Sequence, residues 1–176
     1  MAVLGLAVLL LAIDGTVLSL AVPALTEALS PTAEQVLWIG DTYSLALAGL
    51  LVLMGNLADR FGRKRVLLTG SVAFGAASVL AASATTADQL IVARLLLGVA
   101  GATLMPSTLS LIRNLFPEAA ERTRAIAIWS MAFAVGSAIG PLVGGLLLEH
   151  FWWGSVFLIN VPVMFCGAGG GGPPVA

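Results

Sequence analysis

The stretch GNLADRFGRKRVLL, Gly55 to Leu68, packs five charged residues into seven positions, Asp59 to Arg65. The rest of the chain is poor in charge. Of its 176 residues 10% are charged and 59% hydrophobic, and mean hydropathy is +1.04. A soluble domain carries about 25% charged residues. Long apolar runs flank the cluster on both sides, so it reads as a polar turn between two membrane-spanning helices. The fold class that follows is all-α and polytopic. The runs are too long for barrel strands and lack their in-and-out alternation.

Working outward, six apolar segments can be drawn: about Ala2 to Leu25, Val36 to Leu57, Val66 to Ala84, Leu90 to Leu111, Ala125 to Leu148, and a sixth from near Trp153. Each of the first five is close to the ~20 residues that cross a ~30 Å hydrocarbon layer. The apolar start, Met1 to Ile13, has no basic lead and is followed by more spans, so it reads as the first span rather than a signal peptide. Of the eight basic residues, Arg60, Arg63, Lys64 and Arg65 lie between spans two and three, Arg113, Arg122 and Arg124 between or beside spans four and five, and Arg94 inside span four. The other loops hold Glu27, Glu34, Asp88, Glu149 and His150 but no Lys or Arg. The positive-inside rule then makes the two basic loops, and the N-terminus with them, cytoplasmic. Trp38, Trp152 and Trp153 suit the outer aromatic belt.

Several function classes drop out. One cysteine, Cys166, forms no internal disulfide, and with His150 alone it makes no metal site. There is no phosphate loop and no Ser-His-Asp set, so neither an enzyme nor a cofactor is expected. The net charge of −1 gives no nucleic-acid partner. The partner that the composition demands is a lipid bilayer.

The cluster can be a topological anchor alone. Its spacing suggests more. Gly55 would let two helices approach, Gly62 sits in a turn that must reverse within a few residues, and Asp59 can accept from Arg63 or from the first amides of span three.

At this point the sequence resembles the major facilitator superfamily. Gly55 to Leu68 is similar to that family's loop 2–3 signature. AIDGTVLSLAVPAL, Ala12 to Leu25, resembles the first-span signature of its fourteen-span drug:proton antiporters. ARLLLGVAGA, Ala93 to Ala102, resembles the span-four signature, and GSAIGPLVGG, Gly136 to Gly145, the span-five antiporter signature. LWIGDTYSLALAGL and LLEHFWWGSVFLINVPV look closest to exporters of quaternary ammonium compounds and methyl viologen. The resemblance implies the N-terminal six-helix half of a transporter, built as two three-helix inverted repeats. It implies proton-coupled antiport of small cationic amphipathic compounds, driven by the proton motive force at the cell membrane. A second half, missing here, or a second copy would complete it.

Four sets of residues are the candidates. Asp14 lies near the middle of span one, where an acid costs about 2.5–3.5 kcal/mol on insertion scales. It is either a neutral side chain bonded to a neighbouring helix or a proton or cation site, the role the resemblance gives the first-span acid. Asp41, near the outer end of span two, either reaches headgroup water or shares a cavity with Asp14, with Ser44 and Ala48 on its face. Arg94 either snorkels or points into the bundle. It shares a face with Gly98, Gly101 and Ala102, which favours packing against another helix and pairing with an acid. The resemblance ties this arginine to proton coupling. Gly55, Asp59, Arg60, Gly62, Arg63 and Lys64 would latch the cytoplasmic side. Gly136, Gly140, Pro141, Gly144 and Gly145 form a close-packing groove with a bend, and also a candidate pivot. Pro23, Pro106 and Pro162 are further kinks, and Met54, Met105, Trp129, Met131 and Phe133 could line a pocket for flat cations.

The sixth span is expected to be truncated, because MFCGAGGGGPPVA, Met164 to Ala176, is a poor helix. The expected organisation is a transmembrane half-domain over 1–166 and a Gly/Pro-rich tail over 167–176. Two alternatives stay open: a non-transporting fragment or half-sized subunit, and a carrier of a different small solute.

Overall fold

The apolar runs fold as helices in the computed structural model, which describes residues 2–162 and 164. They are α1 (Ala2–Leu29), α2 (Ala33–Phe61), α3 (Arg63–Ala82), α4 (Ala87–Leu115), α5 (Ala119–His150) and the short α6 (Ser155–Leu158). Among the described residues there is no strand, and five helices are long and apolar enough to cross a membrane. The chain is a multi-pass membrane protein. Residues 160–162 are again helical beyond α6. Val163, most of the expected end of the sixth span with Cys166, and the tail 167–176 lie outside the described residues.

Four of the five long helices outrun the hydrophobic segments, because their polar ends have their own reasons to be helical. Thr32 caps α2 by accepting from the Gln35 amide at 3.2 Å, and the Gln35 side chain answers by accepting from the Thr32 amide at 2.9 Å. Thr86 caps α4 by accepting from the Gln89 amide at 3.3 Å, while the Gln89 side chain accepts from the Thr85 amide at 3.0 Å. The basic stretch is tighter than a loop. Gly62 alone joins α2 to α3, at φ +97°, a conformation that side chains disfavour.

Two long seams organise the bundle, α1 along α5 and α2 along α4, with α3 against α4. The two seams exchange when α1–α3 is laid over α4–α6, as two three-helix repeats require. Val8, Val17 and Ala21 of α1, Phe74 of α3, and Leu90, Leu97 and Leu104 of α4 fill the centre. Burial is uneven: half or more of the α1, α3 and α4 spans is buried, but only 17% of α2 and of α5. Trp38 and Trp152 are exposed, as a belt requires. Trp153 is not. It turns inward and meets Phe157 edge-to-face at 6.5 Å, because the chain before α6 folds back onto the bundle.

Candidate functional site

Asp14 and Arg94 meet in the centre of the bundle, and both are sealed from solvent. Arg94 Nη1 donates to Asp14 Oδ2 at 3.0 Å, and Arg94 Nε donates to the Ile39 carbonyl at 3.2 Å. The guanidinium carbon lies 4.6 Å from the centre of the Tyr43 ring and 6.0 Å from that of Phe157. Both aromatic faces thus lie within cation–π reach. The Tyr43 hydroxyl donates to the Leu11 carbonyl at 3.3 Å. Asn160 Nδ2 donates to the other carboxylate oxygen, Asp14 Oδ1, at 2.9 Å and lies 3.5 Å from Ser78 Oγ. Side chains from α1, α2, α3, α4 and the stretch after α6 converge on one ion pair.

Local sequence explains the approach. A Cβ on Gly98 would stand 2.6 Å from the Tyr43 carbonyl oxygen and 2.7 Å from Ala46 Cβ. Glycine there lets α4 close on α2 and carries Arg94 inward. The small face that Arg94 shares with Gly98, Gly101 and Ala102 is buried, so snorkelling is excluded in this fold.

Asp41 goes elsewhere. Ile39 and Tyr43 carry the inner face of α2, and Asp41 lies two residues from each, on the opposite side and exposed, as are Ser44 and Ala48. Within this chain it does not share a cavity with Asp14. The pocket-lining set also fails to converge: Met131 and Phe133 are exposed on α5, while Trp129 turns to donate to Thr108 Oγ1 at 3.2 Å.

The glycines of α5 fill the α1 seam. A Cβ on Gly136 would meet the Leu9 carbonyl oxygen at 2.5 Å, one on Gly140 would collide with Thr16 Oγ1, and one on Gly144 would meet Val17 Cγ2 at 2.5 Å. Pro141 and Gly145 face outward and are exposed. Close packing is therefore present, and it joins α5 to α1.

At the end of the bundle marked by Gly62, Arg63 is the organiser. Its Nε and Nη2 each lie 2.9 Å from Asp59 Oδ1, and its Nη1 donates to Asn114 Oδ1 at 2.9 Å and to the Ser110 carbonyl at 3.4 Å. The α2–α3 turn is thereby pinned to the end of α4. Arg60 lies over the Phe61 ring, and Lys64 and Arg65 are exposed. Gly55 does face α4, but a Cβ there would sit 3.6 Å from Pro106 Cβ, an ordinary contact. The approach of α2 and α4 at this point does not demand glycine.

The sequence pattern of the Major Facilitator Superfamily matches residues 4–169. The chain belongs to that superfamily. Among curated relatives it is 59% identical over 164 residues to the "Multidrug efflux pump LfrA" of Mycolicibacterium smegmatis, covering 93% of this chain and 32% of that protein. It is 49% identical over 153 residues to the "Methyl viologen resistance protein SmvA" of Salmonella typhimurium, covering 87% and 31%. It is 46% identical over 151 residues to a "Methylenomycin A resistance protein" of Streptomyces coelicolor, covering 86% and 32%. The chain spans about a third of the length of the curated relatives it matches.

In this major facilitator chain the sequence reading found the two charges at depth and missed what surrounds them. Tyr43, Phe157, Asn160 and Ser78 carry no charge. Asn160 had a usable signal, since an amide in the middle of FLINVPV is costly in lipid unless bonded. Asn114, next to Arg113, has no such signal in the sequence.

Proposed function

We propose that this chain is the N-terminal half of a proton-coupled multidrug exporter, one that removes amphipathic cations such as quaternary ammonium compounds and dyes across the cell membrane. The observation that carries it is the sealed Asp14–Arg94 pair, in a chain 59% identical to a multidrug efflux pump. Charged groups at membrane depth face bundle interiors or water-filled cavities and mark ion and substrate paths. In this reading a proton or a cation at Asp14 competes with Arg94 for the carboxylate, and so couples the two. Each proton supplies about 2.3 kcal/mol per 100 mV and about 1.4 kcal/mol per pH unit.

The N-terminus and the Arg60–Arg65 turn lie in the cytoplasm, by the charge bias of the loops. Asp59 and Arg63 latch that side, with Gly62 as the turn and Arg60 and Lys64 as anchors. The glycine seam of α5 lets α1 and α5 shift together, and Pro141 and Gly145 look towards a further half. Asp41 is the outer acid of the path. It is exposed on α2, so its water-filled neighbourhood is built by protein beyond this chain, a further half or a second copy.

The test is ethidium efflux from cells expressing the chain with its further half. Asp14→Asn and Arg94→Gln are each expected to abolish efflux that responds to a pH gradient. Undiminished, gradient-driven efflux in both variants would remove this pair from the mechanism.

A further inference from the structure

A carboxyl group that takes and gives up a proton inside a dry bundle needs a neighbour suited to both states. Ionised, it only accepts hydrogen bonds, whereas protonated it also donates one. Arg94 of α4 has donors only. The Tyr43 hydroxyl of α2 already donates to Leu11 at 3.3 Å. Ser78 of α3 is turned to Asn160. Gly136 and Gly140 of α5, packed on this stretch of α1, bring no ionisable group. Asn160 remains. It is 1% exposed and donates through Nδ2 to Asp14 Oδ1 at 2.9 Å. Its own Oδ1 is buried and has no hydrogen-bond partner among the described residues. A buried amide oxygen left unpaired is unusual in a native fold.

We propose that Asn160 is a positioning residue that serves both protonation states of Asp14, its amide N–H holding the carboxylate and its unpartnered carbonyl oxygen receiving the O–H of the protonated acid. A turn of the amide about its last side-chain bond exchanges the two roles, because donor and acceptor sit on one carbon. The incoming proton bonds to Asp14 Oδ1 and no other bond is made or broken. Arg94 then keeps the Ile39 carbonyl and the rings of Tyr43 and Phe157. Phe157 and Asn160 stand three residues apart, so one short stretch of chain holds both members of the pair. The inference rests on Asp14 being a proton site.

Infrared spectroscopy of the 176-residue chain in lipid vesicles, labelled with 13C-aspartate, tests it. The protonated carboxyl band of Asp14 is the one missing in Asp14→Asn. In the wild type it should absorb below the wavenumber of an unbonded acid, where an acid that donates its O–H to an amide oxygen absorbs. Asn160→Leu should move it to higher wavenumber, and Asn160→Gln should return it towards the wild-type position. A role confined to packing moves no such band. A band unmoved by Asn160→Leu overturns the proposal. Should that variant not fold, the wild-type band decides, since the position of an acid with no hydrogen bond overturns it equally. Absence of any Asp14 band at every pH where the chain stays folded removes the proton reading itself, and this inference with it.

Discussion

Arg94 and Asp14 are 80 residues apart in sequence and 3.0 Å apart in the fold. Among the described residues, neither charge has another opposite charge as partner. Removing one member of a buried pair strands the other and costs about 3–5 kcal/mol, while replacing both by apolar residues is often nearly neutral. Asp14→Leu and Arg94→Leu are therefore each expected to lower stability by that order. The double variant should recover most of the loss. Thermal or denaturant unfolding of the purified chain, arranged as a double-mutant cycle, measures this. Simple addition of the two losses would mean that the pair is not coupled in the native bundle.

The α1–α5 seam gives a position-specific prediction. At Gly136 a Cβ is blocked by the Leu9 carbonyl oxygen at 2.5 Å, which is backbone and cannot swing aside. At Gly145, on the same helix, nothing lies within 4 Å. Gly136→Ala should destabilise by about 1–3 kcal/mol through overpacking. Gly145→Ala should be neutral, or gain up to about 1 kcal/mol from helix propensity. Unfolding midpoints of the two variants, side by side, check both.

These two sites show what was legible in the sequence. Run length and loop charge were enough for five spans, because lipid accepts helices and rejects exposed backbone. The inward turn of Arg94 followed from its spacing to Gly98 and Gly101. Its partner did not, since helical periodicity orients a side chain but says nothing of the helix opposite. Hydropathy marks only the hydrocarbon-crossing part, so it missed the capped turns at Thr32 and Thr86. It also set Trp153 in the outer belt with Trp152, although the fold-back before α6 separates them. Asn160 and Tyr43 are not legible in this way, because neutral groups in apolar runs stand out less than charges do.

The basic turn should separate backbone from charge. Asp59 and Arg63 are a partly exposed pair, with side-chain exposures of 60% and 31%. Pairs of this kind contribute about 0–1 kcal/mol and are screened by salt. Gly62 holds φ +97°, a sparsely populated backbone conformation that costs a residue with a Cβ about 1–3 kcal/mol. Gly62→Ala is thus expected to destabilise more than Asp59→Asn. The deficit of Asp59→Asn should shrink in high salt while that of Gly62→Ala should not. Unfolding of both variants at two ionic strengths reads the difference.

The uneven burial of the helices leads to a last prediction. In lipid an exposed leucine carries no penalty, so the bare faces of α2 and α5 alone decide nothing. Asp41 does. It is exposed on α2, and an acid facing hydrocarbon is costly while one facing a watery cavity is not. Val79, exposed on α3, bears no such constraint. With Cys166 replaced by serine and the chain expressed with its further half, a single cysteine at position 41 should react with a membrane-impermeant maleimide added from outside. Amphipathic cations should slow that reaction. A single cysteine at position 79 should react only with lipid-soluble reagents. If position 41 instead behaved as position 79 does, the outer face of α2 would be lipid-covered, and Asp41 would leave the proposed path.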